Sequence, residues 1–336
     1  MVLLHQFRVF ISIIFLMASA IPKEIVRELP PLIRVYNDGT VERLLGSPQV
    51  PPSLQDPQTL VSSKDIVISE NPSISARLYL PKLNSHTAQK IPILVYFHGG
   101  AFCLESAFSF LHHRYINIVA SEAKVVVVSV EYRLAPENPL PAAYEDSWEA
   151  LKWVTSHSNT EPWLIKHGDF SRFYIGGDTA GANIAHNAVV RVGIESGGLL
   201  GGVKIAGVVL AFPFFWSSEP ILSEPVEGFE ESSAMQVWRF VYPDAPLGID
   251  NPLINPLGCG APSLASLGCS KMLIFVAGKD DLRERGIWYY NGVMESGWEG
   301  DVEVVEVEGE EHCFQIYHPQ TQNSKTMITR MASFLV

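Results

Sequence analysis

The chain has 336 residues, 47% of them hydrophobic and 18% charged, which excludes a disordered segment and supplies apolar material for a large buried core. Its formal net charge of −12 argues against nucleic acid or an anionic membrane as the main partner. The four cysteines, Cys103, Cys259, Cys269 and Cys313, form no CxxC pair and no zinc-like cluster, so buried free thiols are expected, with no metal and no cofactor.

In chain order, residues 1–20 come first. An apolar run from Val9 to Ala18 follows His5 and Arg8, and Ala18-Ser19-Ala20 has the form of a cleavage site. This fits a secretory signal peptide or an upstream extension with a start at Met17. The weakly basic start, the lack of a disulfide-like cysteine pattern and the lack of a usable N-x-S/T sequon favour a cytoplasmic protein. Residues 21–336 then read as a single α/β domain.

Ile33–Tyr36 and Thr40–Arg43 flank Asn37-Asp38-Gly39 and predict a β-hairpin. Asp65–Ser69 and Ser75–Leu80 predict two more strands, and His86–Lys90 a polar loop. From Ile93 the pattern changes to short continuous apolar runs: 93–97, 124–130, 173–175, 205–211, 272–277 and 302–307. Such runs belong to parallel strands buried on both faces. Helical stretches are predicted between them at 106–120, 142–156, 180–192, 283–296 and 322–335. The alternation predicts a mostly parallel, eight-stranded, doubly wound sheet, the plan of an α/β-hydrolase. Residues 214–246 and the N-terminal segment are expected to form a helical cap.

Gly177-Asp178-Thr179-Ala180-Gly181 follows a strand and opens a helix. It has the form of the G-x-S-x-G nucleophile elbow, with threonine where serine is usual. Thr179 is therefore the candidate nucleophile, flanked by Asp178. His98-Gly99-Gly100-Ala101 follows the strand that ends at Phe97, and has the form of an oxyanion-hole loop. The expected donors are the amides of Gly99, Gly100 and Ala180. Asp280 and His312 follow later strands, giving the order nucleophile, acid, base. Asp281 competes with Asp280 for the acid role. The other histidines, His112 and His113 among them, read as surface or packing residues, and Cys313 as a chain neighbour of His312. The aromatic group Phe212, Phe214, Phe215, Trp216 and Trp238 fits a substrate pocket and core packing equally.

These segments resemble the plant carboxylesterase family related to hormone-sensitive lipase. The resemblance rests on His98-Gly99-Gly100, on 131–137 (EYRLAPE), on 141–146 (PAAYED) and on 178–187 (DTAGANIAHN). Ala101 and Thr179 depart from the family's third glycine and its serine. Both departures, with 102–109 and 226–238, are similar to a branch of that family, the legume 2-hydroxyisoflavanone dehydratases. The resemblance implies loss of water from a 2-hydroxyisoflavanone, with residual esterase activity. A carboxylesterase acting on small acyl esters through Thr179 fits the same motifs. Gibberellin receptors also resemble the family, but lack the histidine that His312 supplies here.

Overall fold

The computed structural model describes residues 23–83, 89–156, 161–195 and 199–336. The leader read at 1–20, and residues 86–88 of the polar loop, lie outside the described residues. The chain divides into two compact units, Met1–Leu45 and Gly46–Val336.

The first unit carries a three-stranded antiparallel sheet: β1 (Ile25–Leu29), β2 (Ile33–Tyr36) and β3 (Val41–Arg43), in that order. The predicted hairpin is β2–β3. Gly39 takes φ 80° at its turn, a conformation that a residue without Cβ adopts readily, and Tyr36 N–H closes the turn on Thr40 O. β1 carries no alternation strong enough to read: three of its five residues are exposed.

The second unit is built on one eight-stranded sheet. Its strands are β4 (Ser62–Glu70), β5 (Ser73–Leu80), β6 (Ile91–Phe97), β7 (Val126–Glu131), β8 (Gly168–Asp178), β9 (Ile205–Ala211), β10 (Lys271–Ala277) and β11 (Asp301–Val307). Their order is β11-β10-β9-β8-β6-β7-β5-β4. β4 and β5 join antiparallel, and every pair from β7 to β11 is parallel. This is the predicted α/β-hydrolase plan.

The helices are α1 (Phe110–Ala123), α2 (Ala142–Ser156), α3 (Pro162–His167), α4 (Ala180–Ile194), α5 (Ser233–Val241), α6 (Arg283–Glu295), α7 (Phe314–Tyr317) and α8 (Gln322–Phe334). Leu94, Tyr96, Val209, Leu273 and Phe275 share one core cluster with Tyr115 and Ile116 of α1 and Met327 and Met331 of α8. The alternate residues Ile93, Val95, Val208, Leu210 and Ile274 are equally buried. Both faces of the central strands are therefore covered, which is why their sequence runs are continuously apolar.

α1 begins at Phe110 rather than at Ser106. The Ser106 hydroxyl donates to Glu131 at 2.8 Å and accepts the Phe108 amide at 3.0 Å, holding the chain in a turn before the helix starts. α5 lies inside the predicted cap segment and is amphipathic: Ala234, Met235, Val237, Trp238 and Val241 are buried, whereas Gln236 and Arg239 are exposed. Among the described residues no helix is long and apolar enough to cross a membrane. Two of the motif residues serve the scaffold. Arg133 grips the buried Asp146 with its backbone N–H, Nε and Nη2, at 2.7–2.9 Å.

Candidate active site

The carboxyl ends of β6, β8, β9, β10 and β11 all release loops on one edge of the sheet, where open α/β sheets place their ligands. The elbow leaves β8. Thr179 has φ 52° and ψ −110°, a conformation that is a genuine outlier for a β-branched residue and costs about 1–3 kcal/mol. The surroundings enforce it. Thr179 N–H donates to Ala211 O at 2.9 Å, and Thr179 O accepts Asn183 N–H at 3.1 Å and Phe214 N–H at 3.2 Å. The turn also needs its glycines. A Cβ on Gly181 would lie 2.0 Å from Phe97 O, and one on Gly177 would lie 2.4 Å from the Gly181 backbone.

Thr179 Oγ1 lies 2.8 Å from His312 Nε2, and His312 Nδ1 lies 2.6 Å from Asp280 Oδ2. The second Asp280 oxygen accepts Leu282 N–H at 2.9 Å, which orients the carboxylate. Asp280 is buried and Asp281 is exposed, so Asp280 is the acid that meets the imidazole. The structure thus assembles a continuous hydroxyl–imidazole–carboxylate chain from residues far apart in sequence. Such a chain can take a proton through Nε2 and hold the resulting charge over Asp280.

Burial pulls the His312 pKa down. The Cys313 sulfur and the Asp280 carboxylate push it up, and the net direction is well above the ordinary imidazole value of 6.5. Burial raises the Cys313 thiol; with the sulfur protonated its charge does not act on the imidazole, and the Asp280 carboxylate alone sustains a smaller rise. With 37% of the His312 side chain accessible, solvation moderates the burial term.

The loop after β6 is pinned from several sides. His98 is fully buried, stacks on Tyr132 with ring centroids 4.3 Å apart, and gives its Nδ1 proton to Gly99 O at 2.7 Å. Burial, followed by the neighbouring His112, lowers its pKa to about 4, which keeps it neutral. Tyr132 Oη donates to His98 O at 2.6 Å. Gly99 N–H donates to Asp178 Oδ1 at 3.0 Å, and a Cβ on Gly99 would strike Asp178 Oδ2 at 2.2 Å. The expectation that this amide faces a substrate oxygen is therefore corrected: it is given to Asp178. Gly100, with φ 105°, accepts the amides of Cys103 and Leu104 on its carbonyl. Ala101 follows with φ 53°, in the left-handed region that a third glycine would occupy without strain. Ala180 opens α4, where amides of the first turn have no intrahelical acceptor.

Asp178, Glu105 and His112 form a buried network that the sequence did not reveal. The His112 nitrogens lie 3.5 Å from Asp178 Oδ1 and 3.5 Å from Glu105 Oε2. Tyr96 Oη donates to Asp178 Oδ1 at 2.7 Å. Burial opposes charge on all three groups, but their mutual attraction prevails. His112 is raised to about 9, Glu105 is lowered to about 2, and Asp178 is lowered. A fixed imidazolium thus sits between two carboxylates directly behind the elbow and the Gly99 amide. His113 is also buried, and its Nδ1 meets Tyr79 Oη at 3.0 Å. The aromatic group is buried as well, and the Phe212 ring lies 5.8 Å from that of His312 in an edge-on contact.

Comparison with known proteins agrees with this architecture. Residues 94–316 match the α/β hydrolase fold family. The chain is 75% identical, over 321 residues, to 2-hydroxyisoflavanone dehydratase of Glycyrrhiza echinata, covering 94% of this chain and 97% of that protein. It is 58% identical to 2-hydroxyisoflavanone dehydratase of Glycine max, covering 94% and 99%. Among solved structures, an esterase of Pyrobaculum calidifontis superposes with a TM-score of 0.67 at 26% identity, covering 81% of this chain and 84% of that one.

Proposed function

Since this chain belongs to the α/β hydrolase fold family, we propose that it is a dehydratase that removes water from 2-hydroxyisoflavanones to give isoflavones, with residual carboxylesterase activity. The observation that carries the reading is the threonine at the elbow, hydrogen-bonded to His312 at 2.8 Å. Threonine keeps a hydroxyl for proton transfer but adds a methyl group that crowds attack on an acyl carbon. Elimination of water needs no acyl-enzyme, so it loses little by that exchange. The 75% identity to a dehydratase supports the same substrate class.

In the proposed reaction the substrate C4 carbonyl oxygen is held by backbone amides. Gly100 and Ala180 are two donors. With the Gly99 amide committed to Asp178, Ala101 is the next amide in the loop and the third. His312 Nε2 takes the proton from C3, and the electron pair moves onto the C4 oxygen as an enolate. The enolate then re-forms the carbonyl, the C2–O bond breaks, and the hydroxyl leaves as water with a proton from Thr179 Oγ1. That hydroxyl is re-protonated by His312, so no net proton is consumed. The aromatic residues of 212–216, with α5, cap the site and pack the flat substrate.

The same contact between Thr179 and His312 favours ester cleavage as a second, slower activity. A cytoplasmic setting accords with the cysteine spacing of the sequence, which has no disulfide-like pattern. The test is isoflavone formation from 2,7,4′-trihydroxyisoflavanone, followed against the spontaneous rate. Acceleration over the blank is expected. No acceleration, together with rapid hydrolysis of p-nitrophenyl butyrate, would leave a carboxylesterase.

A further inference from the structure

Cys313 does more than follow His312 in the chain. Its Sγ lies 3.1 Å from Thr179 Oγ1, the same oxygen that meets His312 Nε2 at 2.8 Å. Two consecutive side chains converge on one atom because Cys313 takes φ 56° and ψ 26°, a left-handed kink between β11 and α7. An L-residue adopts that conformation at a cost, and here the kink turns the thiol back onto the elbow. The thiol is buried, at 6% exposure; it also faces the His312 imidazole and, farther off at 3.8 Å, Asp178 Oδ2.

The hydrogen inventory then narrows the roles. Thr179 has one proton and two lone pairs on Oγ1, and neutral His312 offers a lone pair at Nε2. The hydroxyl proton therefore points to His312. Oγ1 is left as an acceptor, and burial keeps the Cys313 sulfur protonated; its one proton has two acceptors in reach, Oγ1 at 3.1 Å and Asp178 Oδ2 at 3.8 Å, of which Oγ1 is the nearer.

We propose that Cys313 is a positioning residue that sets the balance between the two reactions: its S–H donates to Thr179 Oγ1, aims the hydroxyl proton at His312 and occupies a lone pair that acyl attack would use. The thiol makes Thr179 a poorer nucleophile and leaves it a competent proton carrier. Once His312 is protonated it donates to Oγ1 in turn. The weakly accepting sulfur then leaves the threonine proton for the departing hydroxyl. This inference rests on the dehydratase reading for its second half and on the geometry alone for its first.

The experiment compares wild type, Cys313→Ala and Cys313→Ser in three assays. These are dehydration of 2,7,4′-trihydroxyisoflavanone, hydrolysis of p-nitrophenyl butyrate, and labelling of Thr179 by an organophosphate, read by mass spectrometry. A neutral hydrogen bond of ordinary strength corresponds to a change of about fivefold. Cys313→Ala should raise the ester-to-dehydration ratio and the labelling rate by about that factor. Cys313→Ser, which keeps a donor, should return both toward wild type. Unchanged labelling in Cys313→Ala overturns the proposal, as does a proportional loss of all activities that serine does not rescue. Wild type that labels and cleaves ester but never dehydrates would overturn the dehydratase reading, and the labelling rates would still decide the role of Cys313.

Discussion

Asp280 Oδ2 sits 2.6 Å from His312 Nδ1, just below the usual ~2.7–2.9 Å of a charge-assisted N–H···O hydrogen bond. The contact keeps the proton on Nδ1 and aims the Nε2 lone pair at Thr179. It also stabilises the imidazolium and so raises its pKa from the ordinary value of 6.5. A general base must be unprotonated, so activity is lost as pH falls through that raised pKa. The acid limb of kcat/KM should therefore lie above pH 6.5. Asp280→Asn removes the charge, moves the limb to lower pH, and lowers the maximal rate by about 10²-fold or more. Profiles of both proteins check this; a limb that stays in place would dissociate Asp280 from the titration of the base.

Thr179→Ser relieves both the crowding and part of the strain at φ 52°. Hydrolysis of p-nitrophenyl butyrate should rise by about tenfold or more, because serine attacks without the extra methyl. Dehydration should stay within a few-fold, since the hydroxyl is kept. Equal rises in both activities would show that the threonine does not discriminate between them.

His312→Ala should abolish dehydration and ester cleavage together, because one imidazole serves as base in both. Steady-state rates with the two substrates measure this. Dehydration that survived in the variant would require another base for the C3 proton.

The order Thr179, Asp280, His312 was legible because each residue follows the end of a strand: continuous apolar stretches mark those before Thr179 (173–175) and Asp280 (272–277), and the valine-rich 302–307 marks the one before His312. What escaped the sequence depends on tertiary contact. His112, paired with nearby Glu105, meets Asp178 across more than sixty residues of chain, and in linear form it is one histidine in a helical stretch. The Gly99 amide could be assigned only once the Asp178 side chain was placed beside it. Ser106 and Ser109 fit a helical stretch, but their hydroxyls bond Glu131 and Glu105 instead. In Cys313 the telling feature is a backbone angle, which no residue type announces.

The Asp178–Gly99 contact makes the last prediction. Asp178 Oδ1 accepts from the Gly99 amide and from Tyr96 Oη while facing His112, so one carboxylate ties the loop after β6 to the elbow. Asp178→Ala removes the acceptor and leaves His112 with only Glu105 as counter-charge. Breaking one side of a buried ion pair costs about 3 kcal/mol or more, which should appear as a lower denaturant midpoint. Asp178→Asn keeps an acceptor oxygen and loses the charge. It should recover only the share that belongs to the Gly99 hydrogen bond, about 1 kcal/mol, because the buried His112 charge stays without this carboxylate in both variants. Loosening the loop displaces donors that act on the developing oxyanion, so kcat should fall about 10-fold or more in Asp178→Ala. Both reactions should lose kcat alike, with little change in KM, because both place negative charge on the same amides. A fall confined to ester cleavage would mean that dehydration does not pass through an oxyanion at this loop, and that the enolate is stabilised elsewhere.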